Sequence, residues 1–75
     1  MNNYRDRIEI NPNILMGKPV IKGTRIPVEL ILRKLGEGAT IEELLEMYPN
    51  LTKEDILAAI SYSADVLKNE ELVEY

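Results

Sequence analysis

"TIEELLEMYPNLTKEDILAAI", residues 40–60, is the stretch on which the fold turns. Thr40 with Glu43 three positions on is a capping box, in which hydroxyl and carboxylate each accept an amide proton that the helix start leaves orphaned. Ile41, Leu44, Leu45 and Tyr48 then recur at helical spacing. Pro49 ends the run, because the residue before a proline is pushed out of the α region. Thr52 with Asp55 repeats the same grammar, and Leu51 is placed to staple against Ile56. Ile56, Ala59, Ile60, Ser63, Ala64 and Leu67 form the expected inner face of this helix, which is predicted to fray near Asn69.

Working outward toward the N-terminus, Val28, Ile31, Leu32 and Leu35 predict a helix over Pro27–Leu35, with proline at a tolerated first-turn position. Gly36 is read as its stop, and "GEGAT" as the connection. A short second helix, a tight "YPNL" and a longer third helix have the layout of a helix-turn-helix. The expected fold class is therefore mainly α, a homeodomain-like three-helix bundle with a small N-terminal β-hairpin or β-ribbon. Its single domain divides into a β element over about 8–26, the bundle over 27–69 and a tail over 70–75.

The β element rests on "GKPVIKGTRIPV", residues 17–28. Gly23-Thr24 fits the centre of a type II′ turn, which sets Lys22 opposite Arg25, Ile21 opposite Ile26 and Val20 opposite Pro27. Alternation then sends the isoleucines toward the helices and both cations to the other face. Like charges facing each other destabilise a ribbon by about 0.2–1 kcal/mol, so the pair wants an anion. Glu29, a partner's carboxylate and a nucleic-acid phosphate are the three candidates. Further upstream, Ile8 and Ile10 alternate with charged residues as a short strand, and "NPN" turns the chain.

Composition limits the chemistry. A 75-residue chain buries only about 60% of the surface its unfolded form exposes, so a partner or a second copy, as a homodimer, is expected. No cysteine is present to form a disulfide, and no histidine to join a zinc site. The apolar runs are far shorter than a membrane span and "MNNYRDR" is not a signal peptide, which makes the cytoplasm the expected compartment. The net charge of −4 is segregated: residues 1–36 hold seven Lys/Arg against three Asp/Glu, and residues 37–75 two against ten. Such a split can orient an encounter.

No catalytic constellation emerges. Ser61 and Ser63 lie inside the third helix, Thr40 and Thr52 are occupied as caps, and "GKPVIKGT" lacks the Gly-Lys-Ser/Thr ending of a phosphate loop. Glu42, Glu43, Glu46, Glu54, Asp55, Glu70, Glu71 and Glu74 read as solvated faces and helix N-terminal charges. The reading is of a non-enzyme with no cofactor and no metal. Contacts to DNA or another anion would fall to Lys18, Lys22, Arg25, Arg33, Lys34 and Lys53, with Arg5 and Arg7 adding to the basic N-terminal half. The third helix is a poor DNA reader, since Glu54 and Asp55 in its first turn oppose the phosphate field. For a protein partner, the candidates are Tyr62, read as lying off the main stripe, and the acidic–apolar tail Glu70, Glu71, Leu72, Val73 and Tyr75.

"GKPVIKGTRIPVELIL" followed by "GATIEELLEMYPNLTKEDILAAISYSADV" resembles the bacterial and archaeal domain-of-unknown-function family 433, from about Ile8 to Val66. Gly17, Pro19, Ile21, Gly23, Thr24, Arg25, Ile26 and Val28 carry the resemblance, with Tyr48-Pro49 before Leu51-Thr52. The resemblance implies a homeodomain-like helix-turn-helix domain behind a small β element. It also implies an antitoxin of a type II toxin–antitoxin pair, similar to the VapB class, which neutralises a PIN-like ribonuclease toxin and autoregulates its operon at operator DNA. The alternative is a stand-alone dimeric helix-turn-helix transcription regulator.

Overall fold

The computed structural model describes residues 4–69. A 3-10 turn at Tyr4–Asp6 leads into β1 (Ile8–Glu9), and a second turn at Leu15–Gly17 leads into β2 (Val20–Ile21). Three helices follow: α1 (Val28–Gly36), α2 (Ile41–Met47) and α3 (Lys53–Asn69). The fold is thus a three-helix globule with a small antiparallel sheet, as expected.

The core collects Ile21, Val28, Ile31, Leu44, Leu51, Ile56 and Ala59, all buried. Each large aliphatic side chain there contributes about 1.5–3 kcal/mol of transfer free energy. The stapling pair Leu51 and Ile56 is inside this cluster, and Tyr48 packs at its edge.

Both helix starts form as read. Thr40 Oγ1 accepts the Glu43 amide at 3.1 Å, and Glu43 Oε1 accepts the Thr40 amide at 2.8 Å. Thr52 and Asp55 make the reciprocal pair at 3.1 and 3.0 Å.

The stop of α1 lies two residues beyond the one expected. Gly36 remains helical, and Gly38 takes the left-handed φ of 105°. The Gly38 amide donates to Leu35 O and the Ala39 amide to Lys34 O, which is a Schellman motif closed on Gly38. Two glycines in "GEGAT" offer the same conformational freedom, and the carbonyls within reach decide between them.

The sheet also differs from the expected hairpin. β2 pairs with β1, Ile8 opposite Ile21 and Glu9 opposite Val20, so the main ladder joins segments separated by the "NPN" turn. The return strand adds one bridge, Val20 to Pro27, in the expected register, with Ile21 N–H donating to Ile26 O at 3.0 Å. The turn itself is shifted by one residue. Lys22-Gly23 sits at its centre, the Thr24 amide donates to Ile21 O at 3.0 Å, and the positive φ (82°) falls at Gly23 in the third position. That is the type II pattern in place of type II′. Thr24 explains the shift: its hydroxyl donates to Ile21 O at 2.7 Å and accepts the Ile26 amide at 3.0 Å, closing the loop with a side chain.

The inner face of α3 needs a larger correction. Asp55, Ile56, Ala58 and Ala59 are buried, and Tyr62 continues the packing. Ile60 and Leu67, expected inside, are 40% and 70% exposed, and Ala64 is exposed with them. The N-terminal segment is the cause. The 3-10 turn at Tyr4–Asp6 and β1 pack on α3, so the buried face rotates toward Tyr62 and Val66.

Candidate functional site

The strongest tie between the N-terminal segment and α3 is one that periodicity could not show. Arg7 Nη1 meets Asp55 Oδ1 at 3.0 Å, while Asp55 Oδ2 accepts the Thr52 amide at 3.0 Å. Asp55 is 7% exposed, so it is neither a solvated helix charge nor an acid facing outward against DNA. Asp55 is thereby withdrawn from the surface, and Arg7, though still partly exposed, is paired with it. Arg7 no longer belongs to a free basic face, and Glu54 alone remains as the outward acid in the first turn of α3.

Tyr4 adds a second tie. Its Oη donates to Asp65 Oδ2 at 2.6 Å, and its ring meets Tyr62 edge-to-face at 5.8 Å and 80°. The hydrogen bond to Asp65 raises the Tyr4 pKa above its ordinary value, with desolvation and the Asp65 charge acting the same way. Tyr62 is half-buried against the core, on the packing face of α3, where sequence spacing had set it off the stripe.

Between α1 and α3 lies an open apolar groove of about 300 Å³. Val28 and Leu32 form one wall, Tyr62, Val66 and Leu67 the other, and Pro19 closes an end. Lys18 and Glu29 stand at the rim. Glu29 bonds Lys18 Nζ and Arg33 Nη2, each at 3.5 Å. These are exposed pairs, worth at most about 1 kcal/mol each.

Glu29 is therefore not the anion for the turn. Lys22 and Arg25 both remain exposed with no ion-pair partner among the described residues. The expected cationic contacts divide into separate groups. Lys18 and Arg33 share Glu29, Lys22 and Arg25 occupy the turn, Lys34 is half-buried in the last turn of α1, and Lys53 is exposed at the start of α3. Among the described residues no ion pair joins Lys34 or Lys53 to the others. Of the expected partner contacts, Tyr62 lines the groove, whereas Glu70, Glu71, Leu72, Val73 and Tyr75 lie outside the described residues.

One surface feature escaped the sequence reading altogether. Leu57, Ile60 and Leu67 are exposed on α3, and Ala64 lies between them. The signal is a 3-4-3 spacing, of which Ile60, Ala64 and Leu67 are read from sequence as core and Leu57 is not singled out. Among the described residues no helix is long and apolar enough to cross a membrane, and no cluster of three or more acidic side chains gathers as a metal site.

Residues 8–63 match the family described as "Protein of unknown function (DUF433)". "Uncharacterized protein y4eO" of Sinorhizobium fredii is 37% identical over 70 residues, which cover 92% of this chain and 32% of that protein. The crystal structure of a DUF433 member from Anabaena variabilis superposes with a TM-score of 0.80 at 37% identity, covering 87% of this chain and 64% of that one. The chain thus spans about a third of the curated relative and under two-thirds of the crystallised one.

Proposed function

The chain belongs to the DUF433 family, and from that premise we propose that it is a binding module of the antitoxin kind, which captures and neutralises a PIN-like ribonuclease. The observation that carries this reading is the groove between α1 and α3. It is apolar, open, and walled by Val28, Leu32, Tyr62 and Val66 on two elements that the core holds in place. A pre-formed apolar groove receives an inserted side chain or helix edge at little ordering cost. The acidic second half of the chain supports the same reading, because a ribonuclease carries a basic surface for RNA that an acidic face can cover.

The test looks beside this gene for an open reading frame of PIN-like ribonuclease pattern and uses its product. Wild-type protein is expected to abolish its RNA cleavage at equimolar ratio, and Leu32→Ser, which removes one wall of the groove, to weaken that inhibition by about tenfold or more. Undiminished inhibition by a folded Leu32→Ser chain would assign the contact elsewhere. A ribonuclease indifferent to the wild-type chain would remove the antitoxin reading.

One observation favours a stand-alone DNA-binding regulator: Lys22 and Arg25 stand exposed, with no ion-pair partner among the described residues, on a turn closed by the Thr24 hydroxyl. Against it, the outward face of α3, which should read bases, is apolar at Leu57, Ile60 and Leu67. DNA affinity that falls steeply with salt and is lost in Lys22→Glu plus Arg25→Glu would favour the regulator.

A further inference from the structure

We propose that the outward face of α3 is the contact between two copies of this chain, which pair antiparallel through Leu57, Ile60, Ala64 and Leu67. The argument starts from helix geometry. At about 100° per residue these four positions span an arc of about 80°, on the side of α3 away from Ala59, Tyr62 and Val66. Their 3-4-3 spacing is that of a two-stranded coiled-coil seam. The structure leaves Leu57 38%, Ile60 40% and Leu67 70% exposed, so a continuous apolar strip about 15 Å long faces outward.

The occupant follows from what flanks the strip. Glu54 and Lys68 lie on one edge of it, at opposite ends, both exposed and without an ion-pair partner among the described residues. A parallel copy sets the two Glu54, and the two Lys68, at one level on opposite edges of the seam, where neither meets an opposite charge. An antiparallel copy sets each Glu54 against the other chain's Lys68, twice by the two-fold axis. The same register seats Leu57 against Leu67 and Ile60 against Ala64. The small residue then admits the large one, and the helices can approach closely at the axis. The groove plays no part in this contact beyond sharing Leu67 at its edge. Dimer and ribonuclease capture can therefore fail separately.

The test is sedimentation velocity on the full chain from low to high micromolar concentration. A reversible dimer is expected, and Ile60→Glu is expected to weaken it by about thirtyfold or more. Glu54→Lys and Lys68→Glu should each weaken it by about two- to fivefold, and the two together should restore it. The chain has no native cysteine, so orientation can be read by oxidation. Mixed Leu57→Cys and Leu67→Cys chains, one mass-tagged, should cross-link to each other, while Leu67→Cys alone should not cross-link to itself. A monomer at every concentration, or a dimer indifferent to Ile60→Glu, overturns the proposal. So does self-cross-linking of Leu67→Cys. If Ile60→Glu does not fold, the charge exchange decides: failure of the double variant to recover dimerisation overturns the pairing. Loss of ribonuclease capture in a folded Ile60→Glu chain, with a wild type that is monomeric throughout, would assign the strip to that partner instead.

Discussion

The starts of α2 and α3 are built from the same motif, and the molecule uses them differently. At Thr40 and Glu43 the reciprocal bonds are local and exposed, and they finish a helix end. At Thr52 and Asp55 the acid is one methylene shorter and lies at the base of the core. One oxygen caps the helix and the other holds Arg7, 48 residues away in sequence. A cap is worth about 1 kcal/mol wherever it occurs. A cap that also anchors a distant segment carries the desolvation cost of its charge, which only the far partner offsets. The contrast teaches that one sequence signal can mean a local terminus or a tertiary joint, and burial decides which.

The widest break in this contrast should come from Asp55→Ala, which removes the cap and leaves Arg7 without its carboxylate. Breaking a fully buried pair costs more, but the Arg7 side chain is 44% exposed and keeps water. The expected loss is about 2–3 kcal/mol in urea unfolding. Arg7→Ala should cost less, and in the double variant the two losses should not add. Additive losses would mean that Asp55 acts as a cap alone, with no more consequence than Glu43.

Thr40→Ala is the matching change at the other helix and should cost about 1 kcal/mol, with Glu43→Ala costing a few tenths. Both should lower stability without changing how residues 4–9 exchange their amides, because the bonds of this cap run between Thr40 and Glu43 themselves. Protection lost there on Thr40→Ala would show that the two caps are coupled and dissolve the distinction.

Much of this architecture can be read from residues 40–60, because capping and helical period are local rules. The strand at Ile8, the "NPN" turn and the register of Val20 with Pro27 are legible for the same reason. What escaped needed distant partners. Gly36 and Gly38 are equivalent as text, and only the carbonyls of Lys34 and Leu35 choose between them. Asp55 reads like any first-turn acid until Arg7 is folded over it. The face of α3 was misassigned because Ile60, Ala64 and Leu67 fit helical spacing as well as Tyr62 and Val66 do. A segment at the other end of the chain covers the second set and leaves the first outside. The groove was equally invisible, since its walls come from two helices whose separation no periodicity encodes.

The smallest expected effect concerns the second tie of the N-terminal segment to α3, and it asks whether that segment is gripped at one point or two. The Tyr4 phenol donates to Asp65, and this bond exists only while the phenol keeps its proton. Its folded pKa is raised above the ordinary 10.0, chiefly by that hydrogen bond, so the protonated form is favoured in the folded state. The contribution is then fully present below about pH 10 and is lost as pH rises through the raised folded value, where a phenolate would face a carboxylate. Tyr4→Phe keeps the ring against Tyr62 and deletes only the titrating group. Thermal unfolding of the two chains should therefore differ by a small, constant amount at neutral pH and converge at alkaline pH. Parallel curves throughout would mean that the Asp65 bond contributes nothing, leaving the segment to Arg7 and to packing such as the Tyr4–Tyr62 ring contact.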